Sequence, residues 1–150
     1  MISDECFTLN YEYYGNNAFR ISNCPNLGQL EIGNGSFKYF QLFELSNLNS
    51  LQSIHFGNSC FKHVLEFVLD GLTSLESVKI GEYCFKMGDE KRDDGICRIT
   101  NSPSLRQLEI GYQSFQNFYS LELSNLNSLQ SIQFGEYCFK DVEKFWLKGE

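Results

Sequence analysis

The sequence predicts a β-rich repeat solenoid: coils of about 24 residues, each with two short strands, stacked into two parallel sheets. Three observations lead there. The phenylalanines that follow a Cys or Ser, namely Phe7, Phe37, Phe61, Phe85, Phe115 and Phe139, are spaced 30, 24, 24, 30 and 24 residues apart. An offset of 78 residues aligns residues 1–72 with 79–150 without a gap, and 37 of those 72 pairs are identical. Within each unit the apolar residues alternate in two short stretches, such as Ile54-His55-Phe56 and Phe67-Val68-Leu69, a strand signal with one face inward.

The elements of a coil follow in order. One unit reads Leu51, Ile54, Phe56, Phe61, Val64, Phe67, Leu69, Leu72, and another Leu105, Leu108, Ile110, Phe115, Phe118, Leu121, Leu123, Leu126. No stretch keeps the i, i+3, i+4, i+7 spacing for the length a stable helix requires. Gly33, Gly57, Gly81, Gly111 and Gly135 close the first strand of each unit, where a tight turn with positive φ is expected. Asn23, Asn47, Asn101 and Asn125, with Gly71 and Gly149 at the same position, predict a buried Asn ladder satisfying backbone groups at the other corner. Cys6, Cys60, Cys84 and Cys138 share one position before the inward Phe, which fits small free thiols stacked in a core. Six extra residues fall within 8–18 and again within 86–96. The array is continuous: one solenoid over residues 1–150, made of blocks 1–72 and 79–150. The 78-residue alignment places Met1 inside a strand and Glu150 before a turn, so uncapped ends are expected.

Composition narrows the function classes. With 19 acidic and 12 basic side chains the net charge is −7, which argues against nucleic acid or an anionic membrane as the main partner. Apolar runs are a few residues long, so no transmembrane helix is expected, and the start of the chain lacks the pattern of a secretory signal. No Cys-x-x-Cys pair, Gly-x-Ser-x-Gly, His-Glu-x-x-His or phosphate-cradling loop occurs, so neither a metal, a cofactor nor catalysis is expected. His55 and His63 lie outward and Cys inward, which disfavours a Cys–His nucleophile. The charged run 88–95 reads as a solvated loop.

The run Leu51-x-x-Ile54-x-Phe56, repeated at Leu27/Leu30/Ile32, Leu75/Val78/Ile80, Leu105/Leu108/Ile110 and Leu129/Ile132/Phe134, resembles the leucine-rich-repeat signature. Asn23-Cys24-Pro25-Asn26-Leu27 before one such run is also typical of these repeats. The Gly-x-x-Cys-Phe element at 81–85 and 135–139 is similar to the BspA-like surface-antigen type of repeat. The resemblance implies protein or macromolecule binding, often at a cell surface, on the face that bears the Leu-x-x-Leu-x-Leu strand. Carried onto this chain, that nominates the outward residues Gln29, Glu31, Ser53, His55, Ser77, Lys79, Gln107, Glu109, Ser131 and Gln133. Tyr11, Tyr13 and Tyr14, in the first insertion, form a candidate recognition loop, since tyrosine brings contact area at low entropy cost. The leading expectation is a non-catalytic protein-binding module. The alternative is a structural segment that stacks head to tail on copies of itself, in a filament or surface coat.

Overall fold

The computed structural model describes residues 7–10, 17–86 and 94–149. It is a β-solenoid of about five coils with two parallel sheets and, among the described residues, no helix. Strands are numbered in chain order. One sheet has seven strands: β1 (Phe7–Asn10), β2 (Ala18–Ser22), β4 (Leu42–Ser46), β6 (Glu66–Asp70), β8 (Ile96–Thr100), β10 (Ser120–Ser124) and β12 (Lys144–Lys148). The other has five: β3 (Gln29–Ile32), β5 (Ser53–Phe56), β7 (Ser77–Ile80), β9 (Gln107–Ile110) and β11 (Ser131–Phe134). Successive strands of each sheet pair in register, so Phe43 faces Phe67 and Ile54 faces Val78. The six-residue insertion before β8 leaves that register intact, since Phe67 still pairs with Cys97.

One strand breaks the pattern. β1 pairs antiparallel with β2, placing Phe7 opposite Ile21. The repeat alignment instead puts Phe7 at the corner occupied by Phe37 and Phe61. Among the described residues β1 is the one strand that pairs antiparallel with its neighbour.

Inward side chains fill the space between the sheets. Phe37, Phe61, Phe85, Phe115 and Phe139 form a continuous stack, with ring centroids 5.2, 5.2, 4.8 and 4.9 Å apart and planes within 16°. A second stack, Phe19, Phe43 and Phe67, runs beside it at 5.2 Å spacing and meets the first edge-on. Each first-stack Phe adopts a left-handed backbone, with φ between 51° and 55°. That conformation costs a bulky residue about 1–2 kcal/mol, and burying the ring recovers about 2–3 kcal/mol.

The strand-ending glycines have another purpose than the one expected of them. None of Gly33, Gly57, Gly81, Gly111 and Gly135 has a positive φ. At Gly81 an added Cβ would lie 2.6 Å from the carbonyl oxygen of Gly57 and 2.7 Å from its carbon. Glycine stands there because backbone meets backbone across coils. The positive φ falls elsewhere, on Gly35, Ser59, Tyr83, Gln113 and Tyr137, on the stacked phenylalanines, and on the Asn corner.

Asn23, Asn47 and Asn101 are exposed and Asn125 half-buried, so the buried ladder is not what forms. Their shared property is φ between 52° and 54°, with Gly71 at 66°; Gly149, at the same repeat position, has no positive φ. Asn visits this region more readily than other non-glycine residues, since its short amide bonds locally. Asn47→Gly should therefore stay within about 0.5 kcal/mol of the parent, whereas Asn47→Val should lose about 1–2 kcal/mol in urea unfolding. Equal losses in both variants would contradict this account.

Candidate binding faces

All ten residues nominated for the five-stranded face come together in two straight rows. Gln29, Ser53, Ser77, Gln107 and Ser131 are register partners from β3 to β11, as are Glu31, His55, Lys79, Glu109 and Gln133. Alternation turns these positions outward while Leu30, Ile54, Val78 and Leu108 point into the core. Lys79 Nζ lies 3.7 Å from Glu109 Oε1, both half-exposed, so the pair adds little stability. The second row is thus acidic at one side, neutralised in the middle and polar at the other.

The first row borders a shallow polar trough whose opposite bank the nomination omits. Gln52, Glu76, Arg106 and Gln130 line it together with Gln29, Ser53, Ser77 and Gln107. These four occupy one position of the repeat, directly before the strand, and each is long and polar. That regularity was the available signal. Their backbones are tied in sequence: Gln52 N–H donates to Gly28 O at 2.8 Å, Glu76 to Gln52 at 2.8 Å, Arg106 to Glu76 at 2.9 Å and Gln130 to Arg106 at 2.9 Å. The trough floor is therefore fixed by the same ladder that stacks the coils.

The seven-stranded face carries a row of register partners, Arg20, Glu44, Val68, Arg98, Glu122 and Trp146. Arg20 Nε pairs with Glu44 Oε2 at 3.2 Å, and Arg98 lies 3.5 Å from Glu122 and 3.9 Å from Glu66. Its charges are largely spent on each other. At the last coil a hollow opens between Arg98, Tyr119, Lys144, Trp146 and Lys148, with Lys144 Nζ 5.4 Å from the Tyr119 ring. Tyr11, Tyr13 and Tyr14 lie outside the described residues, as does most of the charged run 88–95.

The Cys corner is more polar than a stack of small apolar residues. Cys60 Sγ donates to Gly33 O at 3.1 Å, Cys84 to Gly57 O at 3.0 Å and Cys138 to Gly111 O at 2.8 Å. Ser114, at the same position, donates its hydroxyl to Gly81 O at 2.8 Å. These four side chains thus each donate to a glycine carbonyl of the preceding coil, whereas Ser36 donates to Gly33 O of its own coil. Cys60, Cys84, Cys97 and Cys138 are free thiols; Cys24 is disulfide-bonded. His63 stacks on Tyr39 at 5.8 Å, on the outside of its corner. Among the described residues no three His, Cys, Asp or Glu converge as metal ligands, and no helix is long and apolar enough to cross a membrane.

Cys97 is fully buried, and burial pushes its thiol well above the ordinary value. Above about pH 8.5 the unfolded chain loses this proton while the folded chain keeps it. The folded state then binds more protons than the unfolded one, so stability falls as pH rises, by up to about 1.4 kcal/mol per pH unit for one site. Cys97→Ala should flatten the alkaline slope of unfolding stability by one proton's worth. An unchanged slope would mean that Cys97 ionises as freely in the folded protein.

No protein-family model, curated protein or solved structure matches this chain.

Proposed function

We propose that the chain is a non-catalytic recognition module of the leucine-rich-repeat kind, holding a protein or other macromolecule along its five-stranded face. The observation that carries this reading is the trough between Gln29, Ser53, Ser77 and Gln107 on one bank and Gln52, Glu76, Arg106 and Gln130 on the other. Amide, hydroxyl and charged groups recur there at a strand spacing of about 4.8 Å. A shallow, open, polar channel suits an extended partner lying across the strands, whereas a small substrate calls for a concave and largely apolar site. The test is selection of a displayed peptide library on the native chain, with binders re-measured on the double variant Ser77→Arg/Gln107→Glu. Both positions are surface ones, where substitution leaves stability nearly unchanged. Selected peptides should bind the variant at least about tenfold more weakly. Failure to enrich any peptide, or equal binding to the variant, would overturn the reading.

A second reading, self-association, is favoured by the last coil. Ile132, Phe134, Phe145 and Leu147 are 44%, 40%, 56% and 66% exposed, although their counterparts in earlier coils are buried. Among the described residues β3, β11 and β12 each have one unpaired strand edge. Sedimentation across concentrations should show association that Phe145→Arg/Leu147→Arg abolishes. A monomer at every concentration would sink this second reading.

A further inference from the structure

We propose that Cys60 and Cys84 form an oxidisable dithiol whose disulfide staples two neighbouring coils, a modification site independent of either binding reading. Both sulfurs converge on one atom, the carbonyl oxygen of Gly57, at 3.5 Å from Cys60 and 3.0 Å from Cys84. Equivalent positions of stacked coils lie about 4.8 Å apart, inside the Cα separation of about 4.4–6.8 Å that a disulfide spans. Along this corner the repeat position reads Ser36, Cys60, Cys84, Ser114, Cys138. Among the described residues, two thiols therefore stand on adjacent coils at this corner in one place only, and Cys138 has a serine for its neighbour.

The neighbouring Cys84 thiol, helped by the amides of Ser36 and Gly35, lowers the Cys60 thiol against the opposing effect of burial, while Cys60 and burial push the Cys84 thiol up. One of the two sulfurs attacks a low-molecular-weight disulfide, releasing one thiolate and forming a mixed disulfide. The other then loses its proton and attacks that protein sulfur, releasing the second thiolate. In sum two protein thiols give up two protons and two electrons, and one small disulfide becomes two small thiols. The product is neutral and adds no bulk to the core. Oxidation takes the Cys84 donor from Gly57 O, while Gly33 O keeps the Ser36 hydroxyl at 2.9 Å. The loss of the thiol donors to Gly57 O opposes the bond in part.

The test is to unfold the full chain and refold it in reduced and oxidised glutathione buffers, which removes any barrier of access to the buried pair. Peptide mapping then reads which sulfurs are joined. The oxidised sample should carry a Cys60–Cys84 cross-link with Cys97 and Cys138 still free, and its thermal midpoint should rise by about 5–10 °C, reversibly with reductant. Cys60→Ser and Cys84→Ser, which install the serine that this position carries in other coils, should fold and show neither the link nor the shift. Free thiols at both positions in the most oxidising buffer that leaves the chain folded would overturn the proposal. So would a glutathione adduct that never closes to the disulfide.

Discussion

Gly81→Ala should lower unfolding stability by about 3 kcal/mol or more, although it adds a single methyl group. The new Cβ would sit 2.6–2.7 Å from the backbone of Gly57, and main-chain atoms locked into an inter-coil ladder cannot step aside. Relief requires the two coils to separate at that corner. Separation would stretch the bonds from Gly81 N–H to Phe56 O at 3.0 Å and from Cys84 Sγ to Gly57 O at 3.0 Å. Gly33→Ala provides the comparison, because nothing lies within 4 Å of its added Cβ. Urea unfolding of both variants checks the claim: a steep loss at Gly81 with little change at Gly33. Similar small losses at both sites would mean that the corner is looser than its geometry implies.

Phe85→Ala should cost about 3–5 kcal/mol. The ring is fully buried, stacked on Phe61 at 5.2 Å and on Phe115 at 4.8 Å, and met edge-on by Phe67 at 4.7 Å. Its removal interrupts the aromatic stack midway and leaves a cavity that neighbours tied into strands cannot collapse to fill. Alanine must also hold a φ of 53° without the ring burial that offsets the cost. Phe37→Ala, at the half-buried end of the same stack, should cost distinctly less. A loss under about 1 kcal/mol at Phe85 would contradict the packing argument.

Much of this architecture was legible in the amino-acid order, because alternation with a period of two settles which face each side chain takes. Ile54 inward and His55 outward needed nothing else, and the 24- and 30-residue spacings set the register of every parallel pair. The role of the glycines was not legible: a glycine demanded by positive φ and one demanded by a neighbouring backbone look alike in a sequence. The left-handed phenylalanines were hidden for a related reason, since no local preference favours a bulky residue there and only the stack of rings holds it. The Cys corner was partly readable. Ser36 and Ser114 share the position with Cys60, Cys84 and Cys138, and what these residues have in common is a side-chain donor, not apolarity. Likewise the two rows of the candidate face followed from parity, while Gln52, Glu76, Arg106 and Gln130 were missed because they precede the strands that define it. The antiparallel strand β1 was not legible, because the repeat pattern assigns Phe7 to a corner and not to a strand.

The strict coil-to-coil pairing also fixes how the molecule would respond to a pull on its two ends. Among the described residues each parallel strand bonds only to its counterparts 24 or 30 residues away, and no hydrogen bond bridges over an intervening coil. Load therefore meets the coils in series and peels them off individually. Each rupture would release a fixed length of slack, about 80 Å for a 24-residue coil and about 100 Å for a 30-residue one. An extension trace would then be a ladder of such steps, with a longer one marking the insertion before β8, while the disulfide at Cys24 would hold back the slack that it encloses. A link between Cys60 and Cys84 would shorten the trace by one 24-residue step, so the redox state of one corner could be read as a length.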